Sequence, residues 1–137
     1  MSDKEALLRN ARKKGVFQAL KVLIEGTEEL TDWKPEVGKN ADRISYKHPK
    51  TKRVLVRYGG LSSSWSGLEA DVNQGENQFG GFFGVTEDEV IARLKKYLPR
   101  ARDADETGYE NRKADWVPIR NEVDAEQFLA FLRSFLD

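Results

Sequence analysis

The stretch RISYKHPKTKRVLVRYGG, residues 43–60, constrains the fold more than any other part of the chain. Ile44, Tyr46 and His48 alternate with Arg43, Ser45 and Lys47. Val54, Val56 and Tyr58 then alternate with Arg53, Leu55 and Arg57. Successive side chains on a strand point to opposite faces, so this alternation marks two strands that are each half-buried. Pro49, Lys50 and Thr51 supply the turn, which makes a hairpin over 42–59 with an odd-length loop. Its register puts Ile44, Tyr46, Val54, Val56 and Tyr58 on a dry face. Arg43, Ser45, Lys47, Arg53 and Arg57 fall on a wet one.

The elements around the hairpin follow from capping and periodicity. Ser2 with Glu5 forms a capping box, and the apolar positions that follow predict one long helix, or a pair broken near Lys14-Gly15, over 3–25. Gly26 is the expected C-terminal cap. TEELTDWKPEVGKNA reads as loop, broken by Pro35, Gly38 and Asn40. Alternation in LEADVNQ predicts a strand near 68–74, and QFGGFFGV is read as a further strand near 79–84. DWVPIR predicts another near 115–120, placed at a sheet edge by Pro118. Thr86 with Glu89 caps a helix over 87–98. Asp124 with Gln127 caps another over 125–136, whose apolar face is wide. The expectation is a single α+β domain spanning 1–137. Its sheet has four or five mainly antiparallel strands, with three or four helices packed on one face.

Composition narrows the function classes. The 23 basic and 23 acidic residues cancel, so no whole-molecule field steers the chain toward nucleic acid. With no cysteine and a single histidine, the chain has no thiol nucleophile and no cysteine-based or two-histidine zinc site. No apolar run reaches the roughly 20 residues of a membrane span, and the N-terminus lacks the pattern of a secretory leader. These features suggest a cytoplasmic chain that uses no membrane, metal or other cofactor.

Charge is nevertheless segregated. Residues 39–57 hold seven lysines and arginines against one acid, Asp42, while 69–89 are acidic. Arg43, Lys47, Arg53 and Arg57 are therefore the candidate basic face, able to lie along phosphates. The plain alternative is a solvated face whose cations discourage edge pairing. A second candidate is the loop GGLSSSWSG, where Ser62, Ser63, Ser64, Trp65 and Ser66 could present an aromatic or an anion-binding nest to a partner. It lacks the lysine and following helix of a phosphate-binding loop, and a simple connection between strands explains it as well. Glu69 and Asp71 share one side of a strand about 6–7 Å apart, as a magnesium pair would, and as any polar strand face does. His48 precedes Pro49 at a turn, where a structural role suits it.

No motif identifies an enzyme or a catalytic residue. The residues point to a small non-enzymatic binding protein that engages another macromolecule, with a protein partner or a second copy foremost. The alternatives are a nucleic-acid-binding accessory protein using the basic hairpin, a metal-dependent hydrolase, and a binder of small anions.

Overall fold

The computed structural model describes residues 2–61, 68–72, 79–99 and 116–136. The N-terminal region is a helix pair: α1 spans Asp3–Lys13 and α2 spans Phe17–Leu30. Ser2 Oγ accepts the Glu5 N–H at 3.1 Å, which is the expected cap. Gly15 adopts φ +74, a left-handed conformation that costs glycine little, and this breaks the two helices apart.

Gly26 does not end α2. The helix continues to Leu30, and an added Cβ at position 26 would lie 2.3 Å from Leu129 Cδ1. The glycine is therefore a point of close approach between helices, a tertiary demand that imitates a capping signal.

Among the described residues the sheet has five antiparallel strands in the order β1 to β5: Lys34–Val37, Ile44–Lys47, Val54–Gly59, Glu69–Val72 and Trp116–Pro118. It is open rather than closed into a barrel. β1 lies where the sequence predicts loop. Its four residues are too short and too exposed to show an apolar period, and pairing with β2 is what orders them. Prolines mark both outer strands. The Gly38 N–H donates to Arg43 O at 2.8 Å, in line with the β1–β2 register, so alternation turns the backbone of Pro35 outward. The Ile119 N–H donates to Leu68 O at 2.9 Å, which turns the nitrogen of Pro118 outward in the same way. In each case the missing donor falls on the unpaired side, as the edge placement of Pro118 requires.

The hairpin register departs from strict alternation at one point. Tyr46 pairs with Val56 but Lys47 pairs with Val54, which leaves Leu55 as a bulge. Leu55 therefore enters the core beside Val56, while Val54 is only half-buried. The bulge follows a turn in which Lys52 takes φ +63 and donates its N–H to His48 O at 2.9 Å. The loop, expected to be odd in length, is the four residues 49–52: His48 donates its N–H to Arg53 O at 2.9 Å, and the left-handed residue comes last.

The segment read as a strand near 79–84 is a short helix, α3, at Phe79–Phe83. Phe79, Phe82 and Phe83 fall at helical i, i+3, i+4 spacing, and the Phe79 ring packs 5.8 Å from Phe131 and 5.0 Å from Phe135. Helix α4 spans Glu87–Tyr97, with Thr86 Oγ1 accepting the Glu89 N–H at 3.2 Å. The last helix, α5, spans Glu122–Leu136 and starts earlier than predicted. Asn121 is its cap, accepting the Asp124 N–H at 2.9 Å. Asp124 in turn accepts the Arg120 N–H at 2.9 Å. Asp124 thus takes the inner, acidic position of a capping box but reaches one residue past the cap, to Arg120.

The helices cover one face of the sheet. Ile44, Tyr46, Val56, Tyr58, Ala70, Val72 and Val117 are all fully buried on it. Tyr58 meets Phe128 of α5 edge-on at 5.6 Å and shares a 2.7 Å hydrogen bond with Thr27 of α2. Tyr46 donates to Glu28 at 2.7 Å, and Lys4 closes an ion pair with that carboxylate at 2.7 Å. Burial pushes both phenol pKa values up, and the Glu28 hydrogen bond pushes Tyr46 further.

Candidate functional site

The opposite face of the sheet carries the charges. One row runs across four strands in register: Glu36 of β1, Ser45 of β2, Arg57 of β3 and Asp71 of β4. A parallel row holds Lys34 and Lys47, and Gly59 pairs with Glu69 on the other side. Period-two geometry produces this division, because in β2, β3 and β4 the residues between these positions are the buried ones named above.

Among the described residues, Asp42, Arg43, Arg57, Gly59, Gly60, Glu69 and Asp71 line a depression of about 180 Å³ on this face. Glycine is needed at its floor. A Cβ at Gly59 would lie 2.7 Å from Arg43 Cβ, so the bare backbone lets the Asp42-Arg43 segment settle over the end of β3. Gly60 takes φ +86, which turns the chain away beyond the strand. Arg57 is half-buried, and its Nε is fully buried with no hydrogen-bond partner among the described residues.

The four basic candidates do not act as one cationic stripe. Lys47 Nζ is 2.8 Å from Glu36 Oε2, and Arg43 is 3.9 Å from Asp42 Oδ1. Arg57 faces Asp71 across the strand pair, while Arg53 sits at the turn end of the hairpin with its N–H 3.4 Å from Thr51 Oγ1. Arg43 and Arg57 come together in the depression, and Lys47 and Arg53 stand apart from it. Glu36, the partner of Lys47, was hidden from sequence reasoning because β1 itself was.

Glu69 and Asp71 do share one side of β4, as their spacing predicts, but they share it with two arginines. No cluster of three metal-ligating side chains occurs among the described residues. His48 has a structural part: its Nδ1 accepts the N–H groups of Lys50 at 3.2 Å and Thr51 at 3.3 Å, which closes the hairpin turn. Its ring lies 4.7 Å from that of Phe82.

Ser62, Ser63, Ser64, Trp65 and Ser66 lie outside the described residues, as does Glu76. The aromatics around them divide. Trp33 and Phe79 belong to the core, Phe83 packs against it, and Phe82 alone of these is exposed, at 37%.

A larger trough, of about 510 Å³, lies where the starts of α2 and α5 meet, between Arg12 and Arg120. Arg12 already stacks on Phe17 at 3.8 Å, and Glu122 offsets part of the positive charge. No helix among the described residues is long and apolar enough to cross a membrane.

No family model, curated protein or solved structure matches this chain. The fold defines it as an α+β protein with an open antiparallel sheet, and the reading of its function stands on the residues alone.

Proposed function

We propose that this chain is a non-enzymatic binding protein that engages a protein partner through the charged face of its sheet, the one opposite the described helices. The observation that carries this reading is the mosaic of charge on that face. Lys47 is tied to Glu36 at 2.8 Å, and Arg57 stands opposite Asp71. A polyanionic backbone laid along these strands would compete with Glu36 and meet Asp71 and Glu69, which opposes uniform phosphate contacts. A protein surface can answer both signs in register, and such complementarity supplies specificity and orientation. The outward prolines at both edges argue against a partner that extends the sheet by a strand.

Affinity capture from a lysate with the full chain tests this. The wild type is compared with an Arg43→Glu/Lys47→Glu variant and with Lys21→Glu on the exposed side of α2. A captured protein is then identified, purified and titrated by calorimetry. The expectation is binding that survives Lys21→Glu and weakens about tenfold or more in the double variant, the scale of losing charge-assisted contacts. Equal binding by all three proteins refutes the face. Tight binding to generic DNA or RNA that falls steeply with salt would favour the nucleic-acid alternative instead.

A further inference from the structure

Within the charged face, Arg57 and Glu69 stand out from their neighbours. Lys47, Arg43 and Asp42 have ionic partners. Arg57 and Glu69 line the same depression, are opposite in charge, and make no ion pair with each other or with any other described residue. Arg57 Nε is buried without an acceptor among the described residues. Leaving such a donor unanswered is costly, the more so for a charged group, so the arrangement favours whatever brings an acceptor to it.

The lining restricts what that group can be. Arg43 and Arg57 can hold an anionic end, and the planar guanidinium of Arg57 suits a carboxylate. Asp42, Glu69 and Asp71 lie within the same small space. A simple anion would gain from two cations and be repelled by three carboxylates. A simple cation would leave Arg57 Nε unanswered. A molecule with a carboxylate and an ammonium a few bonds apart satisfies both sets at once. At about 180 Å³ the space is smaller than the roughly 300–1,000 Å³ of drug-sized ligand pockets, which suits something of amino-acid size better than a nucleotide.

We propose that the Arg57–Glu69 depression is a binding site for a small zwitterion of the α-amino-acid class. Its carboxylate accepts from Arg57, with Arg43 beside it, and its ammonium donates to Glu69. Gly59 and Gly60 keep the floor at backbone level. The depression lies within the face proposed for a protein partner, but its titration needs no partner, so either reading can fail while the other stands.

The test is a titration of the full-length, ¹⁵N-labelled chain, following the Arg57 Nε–Hε resonance. The twenty standard amino acids are added singly, with acetate and methylamine as probes carrying one charge. A saturable shift at millimolar concentration is expected for at least one amino acid, with both single-charge probes weaker by about tenfold or more. Arg57→Lys retains the charge and removes the Nε–H. It should weaken binding of that amino acid about tenfold, read by calorimetry, and Glu69→Gln should do the same through loss of the ammonium partner. Circular dichroism confirms that each variant is folded; should one not fold, the other and the wild-type titration decide. Three results overturn the proposal: no saturable shift with any amino acid, acetate binding as well as the best amino acid, or full affinity in a folded Glu69→Gln variant.

Discussion

The two faces of the sheet are built from the same strands and answer to different physics. On the helix-covered face, Ile44, Tyr46, Val56, Tyr58, Ala70, Val72 and Val117 lose all contact with solvent, and both phenols that enter it find hydrogen-bond partners there. On the other, Glu36, Ser45, Lys47, Arg57, Glu69 and Asp71 stay at least partly exposed and arrange themselves by charge. Burial contributes about 25 cal/mol per Å² and does not depend on direction, so the first face holds the protein together. Exposed ion pairs are worth about 0–1 kcal/mol, so the second face adds little to stability. Its residues are therefore free to be chosen for recognition.

Substitutions that separate the faces test this directly. The largest effect is expected on the covered side. Phe79→Ala removes the ring that joins α3 to α5 and should cost about 3–5 kcal/mol in denaturant unfolding, as large aromatic truncations in cores do. A loss below about 1 kcal/mol would mean that α3 is not part of the cooperative core.

Alkaline pH should strike the same face. Tyr46 and Tyr58 both titrate above the ordinary phenol value in the folded state, because burial opposes the phenolate. Their stabilising effect is fully present below about pH 10, where the unfolded chain keeps both protons, and is lost as pH rises above it. With two protons released on unfolding, stability should fall by up to about 2.7 kcal/mol per pH unit. Tyr58→Phe should halve that slope. A slope unchanged by the substitution would contradict the burial of this phenol.

Gly26→Ala examines the contact between α2 and α5. The new Cβ meets Leu129, which is itself buried, so a cost of about 1–3 kcal/mol is expected in place of the gain that alanine usually brings to a helix interior. Leu129→Ala in the same chain should make the two changes non-additive, since it opens the space that the new Cβ at position 26 needs. The smallest effect belongs to the charged face. Lys47→Ala breaks the pair with Glu36 and should change stability by no more than about 1 kcal/mol, with thermal melting nearly unmoved. A larger loss would make this face structural and remove the contrast between the two.

Some of this molecule is legible residue by residue. The caps at Ser2 and Thr86, the hairpin strands and the edge position of Pro118 all rest on interactions within a few residues, and local chemistry settles those. The candidate site was legible in part. Alternation put Arg57, Glu69 and Asp71 on the wet side of their strands, but nothing near Arg57 in the sequence reveals that Glu69 shares its depression or that Glu36 neutralises Lys47.

The sequence by itself determined which residues are apolar, the two strands of the hairpin and the capped starts of α1 and α4, because periodicity and capping are local. Tertiary structure alone decided the rest. FGGFF became helical because α5 offers aromatic rings at the spacing its phenylalanines need. KPEV became a strand because β2 offered it a partner. Gly26 stayed inside α2 because a second helix passes within van der Waals reach of it. Each of these outcomes depends on atoms distant in the chain, and the energy of such contacts exceeds the few tenths of a kcal/mol by which local propensities usually differ.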